Sequence, residues 1–254
     1  MNQICVDIGN TSTGFAFMDK ENVVAMFFCQ TGDWGNVSKE LTGFLGRRRP
    51  LLNLYLSSVA PKAKVSLEKY LITEGWKFSV FEVNLNDKKQ IHLAYAENDK
   101  SSLGTDRLSL IYKAMMNHPE RNVLIVDLGT TMTVDIIKKG EHLGGFITLG
   151  VKASLEALSL KTEKLPAIVD LLGDDSFLGK STQECIAKGI VYEKVIFLQG
   201  VLNYIQDLSS EEPFVLWGTG GDIYLLQNDF EWDKCEKKLI FEAIYEWFCP
   251  KKNE

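Results

Sequence analysis

The sequence lacks the features that mark several large classes of protein. No apolar run approaches the ~18–20 residues that a membrane-spanning helix needs, and the first residues carry no positively charged segment of a secretory signal. Basic residues are in the minority, with 28 Lys and Arg against 34 Asp and Glu, which leaves a formal net charge of −6. A chain without a basic surplus does not favour nucleic-acid backbones. We therefore expect a cytoplasmic protein that binds neither membranes nor nucleic acid.

Cysteine and histidine are sparse and follow no pattern. The five cysteines are scattered, with no CxxC spacing, and there are only three histidines. This gives no sign of a disulfide framework or of a zinc site. Histidines and serines also form no local triad signature, so nothing favours hydrolysis. Hydrophobic residues make up 45% of the chain, which is enough for a folded core.

One motif occurs twice, 120 residues apart. The ungapped alignment matches Asp7 with Asp127, Gly9 with Gly129, Thr11 with Thr131, Thr13 with Thr133 and Glu21 with Glu141. Each copy reads as an apolar strand, a glycine-containing turn with hydroxyl residues at its tip, and a second alternating strand, which is the pattern of a β-hairpin. Two copies that divide the chain near its middle predict two duplicated domains facing each other.

Apolar periodicity predicts strands and helices in both halves. Besides the first hairpin, the first half has predicted strands at residues 23–28, 51–59 and 78–83 and predicted helices at residues 37–45 and 62–72. The second half has predicted strands at residues 123–127, 133–138, 142–148 and 214–217 and predicted helices at residues 153–160, 182–206 and 238–248. The polar stretch 84–102 is predicted to be a loop or flap. Strands mixed with helices throughout predict an α/β fold.

The repeated hairpins point to phosphate binding. Glycine beside threonine hydroxyls and backbone N–H groups makes a concave site for anions. Asp7 and Asp127 stand at strand ends, where their charge would repel a phosphate. Mg²⁺ removes that conflict, since it bridges phosphate oxygens to one or two carboxylates while keeping several waters. We therefore predict that nucleotide phosphates are held between two lobes.

Three shorter segments also bear on function. Residues 218–221 form a glycine-rich turn after a strand, which allows a ligand to approach the backbone. Asp106 and Arg107 open a helical pattern, where they could serve a substrate as proton acceptor and cationic anchor, or could simply be a helix-terminal acid and a solvated arginine. Residues 173–181 imitate a phosphate-binding P-loop, but five residues rather than four separate the glycines, so we reject that interpretation.

With these motifs, the chain resembles the type III pantothenate kinases, within the superfamily of acetate kinases, sugar kinases, heat-shock proteins and actin. The family's DIGNT motif stands at residues 7–11, its GxDR at 104–107, its DxGTxxTxD at 127–135 and its TGG at 219–221. Further matches follow in the family's order at residues 143–145, 154–158, 162–166 and 179–184. The last of these accounts for the P-loop imitation, and together the motifs cover nearly the whole chain.

The resemblance implies two duplicated ribonuclease H-like lobes, as in actin-like ATPases, with the ATP cleft between them. Residues 1–117 would form the N-terminal lobe, with the first phosphate hairpin and the GxDR substrate segment. Residues 118–254 would form the C-terminal lobe, with the second phosphate hairpin and the TGG motif on the adenosine side. The implied activity is ATP-dependent phosphorylation of pantothenate, the first step of coenzyme A synthesis, by a homodimer. The alternative is an inactive or nucleotide-switch relative acting as a regulatory protein.

The resemblance also implies roles for single residues. Asp106 would be the catalytic proton acceptor. ATP would be bound by Asp7, Ile8, Gly9, Asn10, Thr11, Ser12, Thr13, Gly14, Thr130, Gly220 and Gly221. Pantothenate would be bound by Tyr95, Gly104, Thr105, Asp106, Arg107 and Thr182. Asp7 would help to hold Mg²⁺, directly or through water, and Asp127 would bind a monovalent cation, K⁺ or NH₄⁺.

Three positions depart from the family pattern. Leu149 stands where the family has a proline, and Asp99 replaces another proline after Asn98. Tyr95 lies further upstream of GxDR than the family's tyrosine does. These departures concern the pantothenate side rather than the ATP side.

Overall fold

The computed structural model describes residues 2–47, 49–87, 91–95, 99, 102–161, 176–208 and 212–250. The predicted motif at residues 162–166 lies outside these ranges. In chain order the elements are β1 (Gln3–Ile8), β2 (Ser12–Asp19), β3 (Asn22–Gln30), α1 (Val37–Leu45), β4 (Leu52–Ser58), α2 (Pro61–Thr73), β5 (Phe78–Glu82), β6 (His92–Leu93), α3 (Thr105–Asn117), β7 (Asn122–Leu128), β8 (Thr131–Lys138), β9 (Glu141–Leu149), α4 (Val151–Lys161), α5 (Thr182–Leu208), β10 (Val215–Thr219), β11 (Lys234–Cys235) and α6 (Leu239–Phe248).

Backbone contacts divide the chain into two compact units. The first comprises Met1–Pro119, Lys139–Gly144 and Lys238–Glu254, and the second comprises Glu120–Lys138 and Gly145–Lys237. The first unit therefore takes in α6, which the predicted division at residue 117 had left with the C-terminal lobe. That predicted division remains a prediction about the functional lobes.

The first unit is built on a five-stranded sheet in the order β3-β2-β1-β4-β5. The strands β1, β2 and β3 are antiparallel neighbours, whereas β4 runs parallel to both β1 and β5. Because side chains alternate along a strand, β1 buries Ile4, Val6 and Ile8 in one core together with residues of α1 and α2. Helix α6 contacts β1, β2 and β4 and packs on α3.

The second unit has a sheet in the order β11-β10-β7-β8-β9, with β10 parallel to β7. Its core joins Leu124, Val126 and Leu128 of β7 to apolar side chains of α5. Although α5 has 27 residues, neither it nor another helix in the described ranges is long and apolar enough to cross a membrane. The mixed α/β class expected from the sequence is confirmed.

The region predicted as a loop at residues 84–102 contains a short strand. His92 and Leu93 of β6 pair in parallel with Glu141 and His142 at the start of β9, within the first unit. The expectation of a plain loop is therefore wrong at this point. Two residues are too few for alternation to be visible in a sequence, so pairing with a distant strand decides the conformation.

The two hairpins differ in length by one residue, which the ungapped repeat concealed. In the first, Asp7 lies opposite Gly14, and in the second, Asp127 lies opposite Thr133. Beyond the tips the offset is therefore 119, so Thr133 corresponds to Gly14 rather than to Thr13. A shift of one residue turns a side chain to the other face of the sheet. The predicted matches of Thr13 with Thr133 and of Glu21 with Glu141 are thus wrong.

Candidate functional site

The tip of the first hairpin is closed by hydrogen bonds and presents exposed residues. The Gly9 amide donates to the Ser12 carbonyl at 3.0 Å. Thr31, which follows β3, braces the tip: its amide donates to the Thr11 carbonyl at 2.9 Å and its hydroxyl donates to the Gly9 carbonyl at 2.8 Å. Asn10, Thr11 and Ser12 are exposed, so their polar groups are placed where a phosphate could reach them.

Three other residues of the predicted ATP set are buried in the first unit. Ile8 belongs to the core, and the Thr13 hydroxyl shares a 2.9 Å hydrogen bond with the Thr31 hydroxyl. A Cβ at Gly14 would lie 2.6 Å from the Phe241 ring, so glycine is needed for α6 to approach β2 closely. These residues support the hairpin, and any contact with ATP remains a prediction.

The GxDR segment forms the start of α3. Gly104 is the N-cap of this helix, and a Cβ there would collide with Asp106 Oδ1. The absence of a side chain thus allows the Asp106 carboxylate to fold back over the turn. Its Oδ1 accepts a hydrogen bond of 2.7 Å from the Arg107 amide.

Thr105 ties this helix start to the end of β4. Its Oγ1 accepts a 2.8 Å hydrogen bond from the Ser58 amide and shares a 3.0 Å bond with the Ser57 hydroxyl. In the parallel pairing of β1 with β4, Ser57 lies beside Asp7. The first hairpin and the GxDR segment therefore meet at the carboxyl ends of two parallel strands, which is where α/β sheets commonly bind ligands.

Tyr95 and Arg107 are also brought together. Arg107 is 5% exposed, and its Nη1 donates to the Tyr95 hydroxyl at 2.9 Å. The Tyr95 ring in turn stacks on His142, with 5.9 Å between centroids and 16° between planes. Because Leu93 pairs with His142, the short strand β6 brings Tyr95 to this place. Sequence spacing alone had set Tyr95 apart from the family's tyrosine.

The second hairpin is surrounded by close glycine contacts. The Gly129 amide donates to the Thr131 carbonyl at 2.9 Å, and the Gly150 amide donates to the Thr130 carbonyl at 2.8 Å. A Cβ at Gly150 would collide with the Gly129 carbonyl. Thr130 is exposed at the tip. The start of α4 therefore packs directly against the hairpin, although Leu149 replaces the family's proline.

The TGG turn follows β10 and lies beside the end of β7. Thr219 of β10 is the parallel neighbour of Asp127. Gly220 has φ +100°, and a Cβ there would lie 2.5 Å from Asp127 Oδ1. Only glycine combines this left-handed backbone with so close an approach. Asp127, the second hairpin and Gly220 are thus neighbours within the second unit.

Comparison with known proteins decides the family. A family model described as type III pantothenate kinase matches residues 3–204. The chain belongs to this family. It is therefore a kinase that uses ATP to phosphorylate pantothenate, on the route to coenzyme A. A type III pantothenate kinase of Fusobacterium nucleatum is 28% identical over 254 residues, covering 95% of this chain and 96% of the relative.

Solved structures show the fold. A Campylobacter jejuni protein described as a Baf family transcriptional activator has a TM-score of 0.54 at 20% identity, covering 97% of both chains. A Sinorhizobium meliloti protein described as a 2-dehydro-3-deoxygalactonokinase has a TM-score of 0.56 at 10% identity, covering 99% of this chain and 98% of that one. These likenesses extend to the fold alone, and they agree with the α/β fold predicted from the sequence.

The family motif at residues 179–184 forms a helix cap. The Ser181 hydroxyl accepts a hydrogen bond of 3.2 Å from the Glu184 amide, and the Glu184 carboxylate accepts one of 2.6 Å from the Lys180 amide. This is close to a capping box, and it explains the P-loop imitation, of which residues 173–175 lie outside the described ranges. Thr182 is the exposed first residue of α5. Its contact with pantothenate remains a prediction.

Asp7 and Asp127 would each supply only part of the ligand set of a metal ion, so phosphate and water would have to supply the rest. Among the described residues, no group of three or more His, Cys, Asp or Glu side chains could hold a metal ion. Asp7 and Asp127 each stand, partly exposed, near a hairpin tip. Since Mg²⁺ keeps several waters and needs only one or two carboxylates beside substrate phosphates, Asp7 alone fits the predicted role with Mg²⁺ and ATP. Asp127 remains the predicted ligand of a monovalent cation.

Thr105 occupies the variable position of GxDR, and we predict that its hydroxyl stabilises the helix start. Thr105→Val keeps the shape but leaves the Ser58 amide and the buried Ser57 hydroxyl without this partner. Leaving buried polar groups unsatisfied costs about 1–3 kcal/mol, so urea unfolding should show a loss of that size. Thr105→Ser should restore most of the stability. Equal stability of the Val and Ser variants would contradict the role of the hydroxyl.

Proposed function

We propose that the protein transfers the γ-phosphoryl group of ATP to the primary hydroxyl of pantothenate, with Asp106 as proton acceptor. The observation that carries the assignment is the link from Asp7 through Ser57 to Thr105 at one end of the first sheet. This link holds the phosphate hairpin and the GxDR segment side by side. A kinase needs this arrangement, because the acceptor hydroxyl must lie next to the terminal phosphate.

The residues suit the chemistry of phosphoryl transfer. The transition state is loose, so positioning and electrostatic stabilisation provide most of the catalysis. Asp106 need not be a strong base: it orients the hydroxyl and accepts its proton late in the reaction. Arg107 is buried and bonded to Tyr95, so its charge is pre-positioned to attract the anionic pantothenate. Thr182 would contribute a further hydroxyl contact to pantothenate.

ATP would be bound through both hairpin tips. We assign phosphate contacts to Asn10, Thr11 and Ser12 of the first tip and to Thr130 of the second, because these residues are exposed. Gly220 and Gly221 would pass close to the adenosine side, where a side chain would obstruct the nucleotide. Asp7 would help to hold the Mg²⁺ that accompanies ATP, which neutralises the phosphate charge when bound.

Asp127 would bind the monovalent cation, K⁺ or NH₄⁺. It is partly exposed at the end of β7, and Gly220 keeps the space in front of its Oδ1 clear of a side chain. A carboxylate with backbone carbonyls nearby offers the oxygen ligands that such ions prefer.

A coupled assay of ADP release tests the activity and the cation together. We expect ADP release to require pantothenate and to be faster in K⁺ or NH₄⁺ than in Na⁺. Asp127→Asn should abolish the difference between the cations. ADP release without any dependence on pantothenate would contradict the kinase assignment and would favour a nucleotide switch. Equal rates in all three salts would contradict only the role given to Asp127 and would leave the kinase assignment intact.

We also propose a homodimer. Exposed apolar side chains lie on two elements of the second unit, namely Phe146, Ile147 and Leu149 on β9 and Ile196 and Tyr204 on α5. Clusters of exposed apolar residues are typical of protein interfaces. Sedimentation velocity should therefore give a mass of twice 28.6 kDa, and a monomer at micromolar concentration would contradict the proposal.

The regulatory alternative is not favoured. An inactive relative would have no need of the acids used in transfer, whereas Asp7, Asp106 and Asp127 are all present. The Baf family description of the Campylobacter jejuni structure is a statement about that protein, and the likeness at 20% identity extends to the fold alone.

A further inference from the structure

A lysine outside all the family motifs stands beside the second hairpin. Lys152 is the second residue of α4, and it follows directly on the segment that packs against the hairpin tip. The Gly150 amide is bonded to the Thr130 carbonyl at 2.8 Å. The backbone of Lys152 is therefore held two residues from the point at which the helix touches the tip.

A buried carboxylate of the TGG turn holds the ammonium group. Lys152 Nζ lies 2.6 Å from Asp222 Oδ1. Asp222 directly follows Gly221, and its amide donates to the Leu128 carbonyl at 2.9 Å. The side chain of Asp222 is 5% exposed, whereas that of Lys152 is 64% exposed. The pair thus joins a fixed anchor to a cation that faces solvent.

This arrangement suits a ligand better than a structural clasp. An ammonium group has three donors, and Asp222 takes one of them. The hydrogen bond to Asp222 raises the pKa of Lys152, so the lysine keeps its charge throughout the neutral and mildly alkaline range. Because Lys152 is 64% exposed, solvent screens its attraction to Asp222, and the pair stabilises the fold less than a pair buried on both sides does. A positive charge beside the second hairpin could instead bind a phosphate group.

We propose that Lys152 is a further nucleotide-binding residue, whose ammonium group, oriented by Asp222, binds a phosphate oxygen of ATP at the second hairpin. The inference rests on the proposed function, since it takes the second hairpin to be a phosphate site. Lysine binds phosphate as a compact point charge that needs no bidentate geometry. Asp222 positions the lysine and also prevents the charge from turning away from the hairpin.

Calorimetric titration of ATP, ADP and adenosine into the full-length protein tests the proposal. Charge-assisted hydrogen bonds contribute about 1.5–3 kcal/mol, so Lys152→Met should weaken ATP and ADP binding by about tenfold or more and leave adenosine binding unchanged. Lys152→Arg should retain most of the affinity. Lys161→Met is the matched control, because Lys161 is exposed at the far end of the same helix, and its affinities should equal those of the wild type.

Three results would overturn the proposal. The first is wild-type ATP affinity in Lys152→Met, and the second is an equal loss of affinity for ATP and adenosine, which would mean that the turn itself is disturbed. The third is a loss in Asp222→Asn as large as that in Lys152→Met, since the Asn variant keeps the ammonium group. Failure of the kinase assignment has a different signature, because ADP release would then be independent of pantothenate in every variant.

Discussion

Asp106→Asn should lower kcat by about 10²–10⁴-fold, the range in which a general base contributes to catalysis, while ATP still binds. The substitution keeps the size of the side chain and an Oδ1 acceptor for the Arg107 amide. The start of α3 should therefore remain folded. What the variant loses is the ability to take the proton of the pantothenate hydroxyl as the phosphoryl group arrives.

Steady-state kinetics with both substrates, together with calorimetric ATP titration, give the measurement. Asp19→Asn is a suitable control, because Asp19 is exposed at the end of β2 and outside the proposed site. Turnover close to that of the wild type in Asp106→Asn would contradict the assignment of Asp106. A loss of ATP affinity equal to the loss of kcat would instead indicate that Asp106 contributes to nucleotide binding.

The second large effect is expected at a buried ion pair that fastens α3 to α6. Lys113 Nζ lies 2.6 Å from Glu246 Oε2, and the two side chains are 9% and 6% exposed. The Asn117 amide group also donates to Glu246. Removing one partner of such a pair costs about 3–5 kcal/mol, because it strands the other charge away from water. Lys113→Met should lower the free energy of unfolding by that amount in urea.

A surface pair in the same unit provides the matched control. Lys64 and Glu82 also form an ion pair, but their side chains are 22% and 40% exposed. Lys64→Met should therefore cost about 0–1 kcal/mol. If both lysine variants lose the same stability, burial is not the cause and the prediction is wrong. Adding Glu246→Leu to Lys113→Met should recover part of the loss, because it removes the stranded carboxylate.

The local elements were predictable because each depends on residues that are neighbours in the chain. The helix predicted at residues 37–45 coincides with α1, and the helix predicted at residues 182–206 is α5 with two further residues. Apolar periodicity reports which face of an element is buried, and this face is the same whatever covers it. Motif order similarly sufficed for the family, since it requires no knowledge of contacts.

The errors arise where distant segments decide the outcome. The one-residue difference between the hairpins appears only in strand register, which places Gly14 and Thr133 opposite the two aspartates. The strand β6 exists because the start of β9 pairs with it. Contacts between distant segments also place helix α6 in the first unit, where it packs on α3 and β1. The predicted lobe boundary at residue 117 stays a prediction.

By itself, the sequence determined the α/β class, the two hairpins and the family, because periodicity and motif spacing are properties of the chain alone. Only the tertiary structure decided which residues meet. It placed Thr105 against Ser57 and Ser58, Tyr95 on Arg107, and Lys152 on Asp222. Each of these contacts joins segments at least 12 residues apart, and their formation depends on strand register and helix packing, which local sequence patterns do not encode.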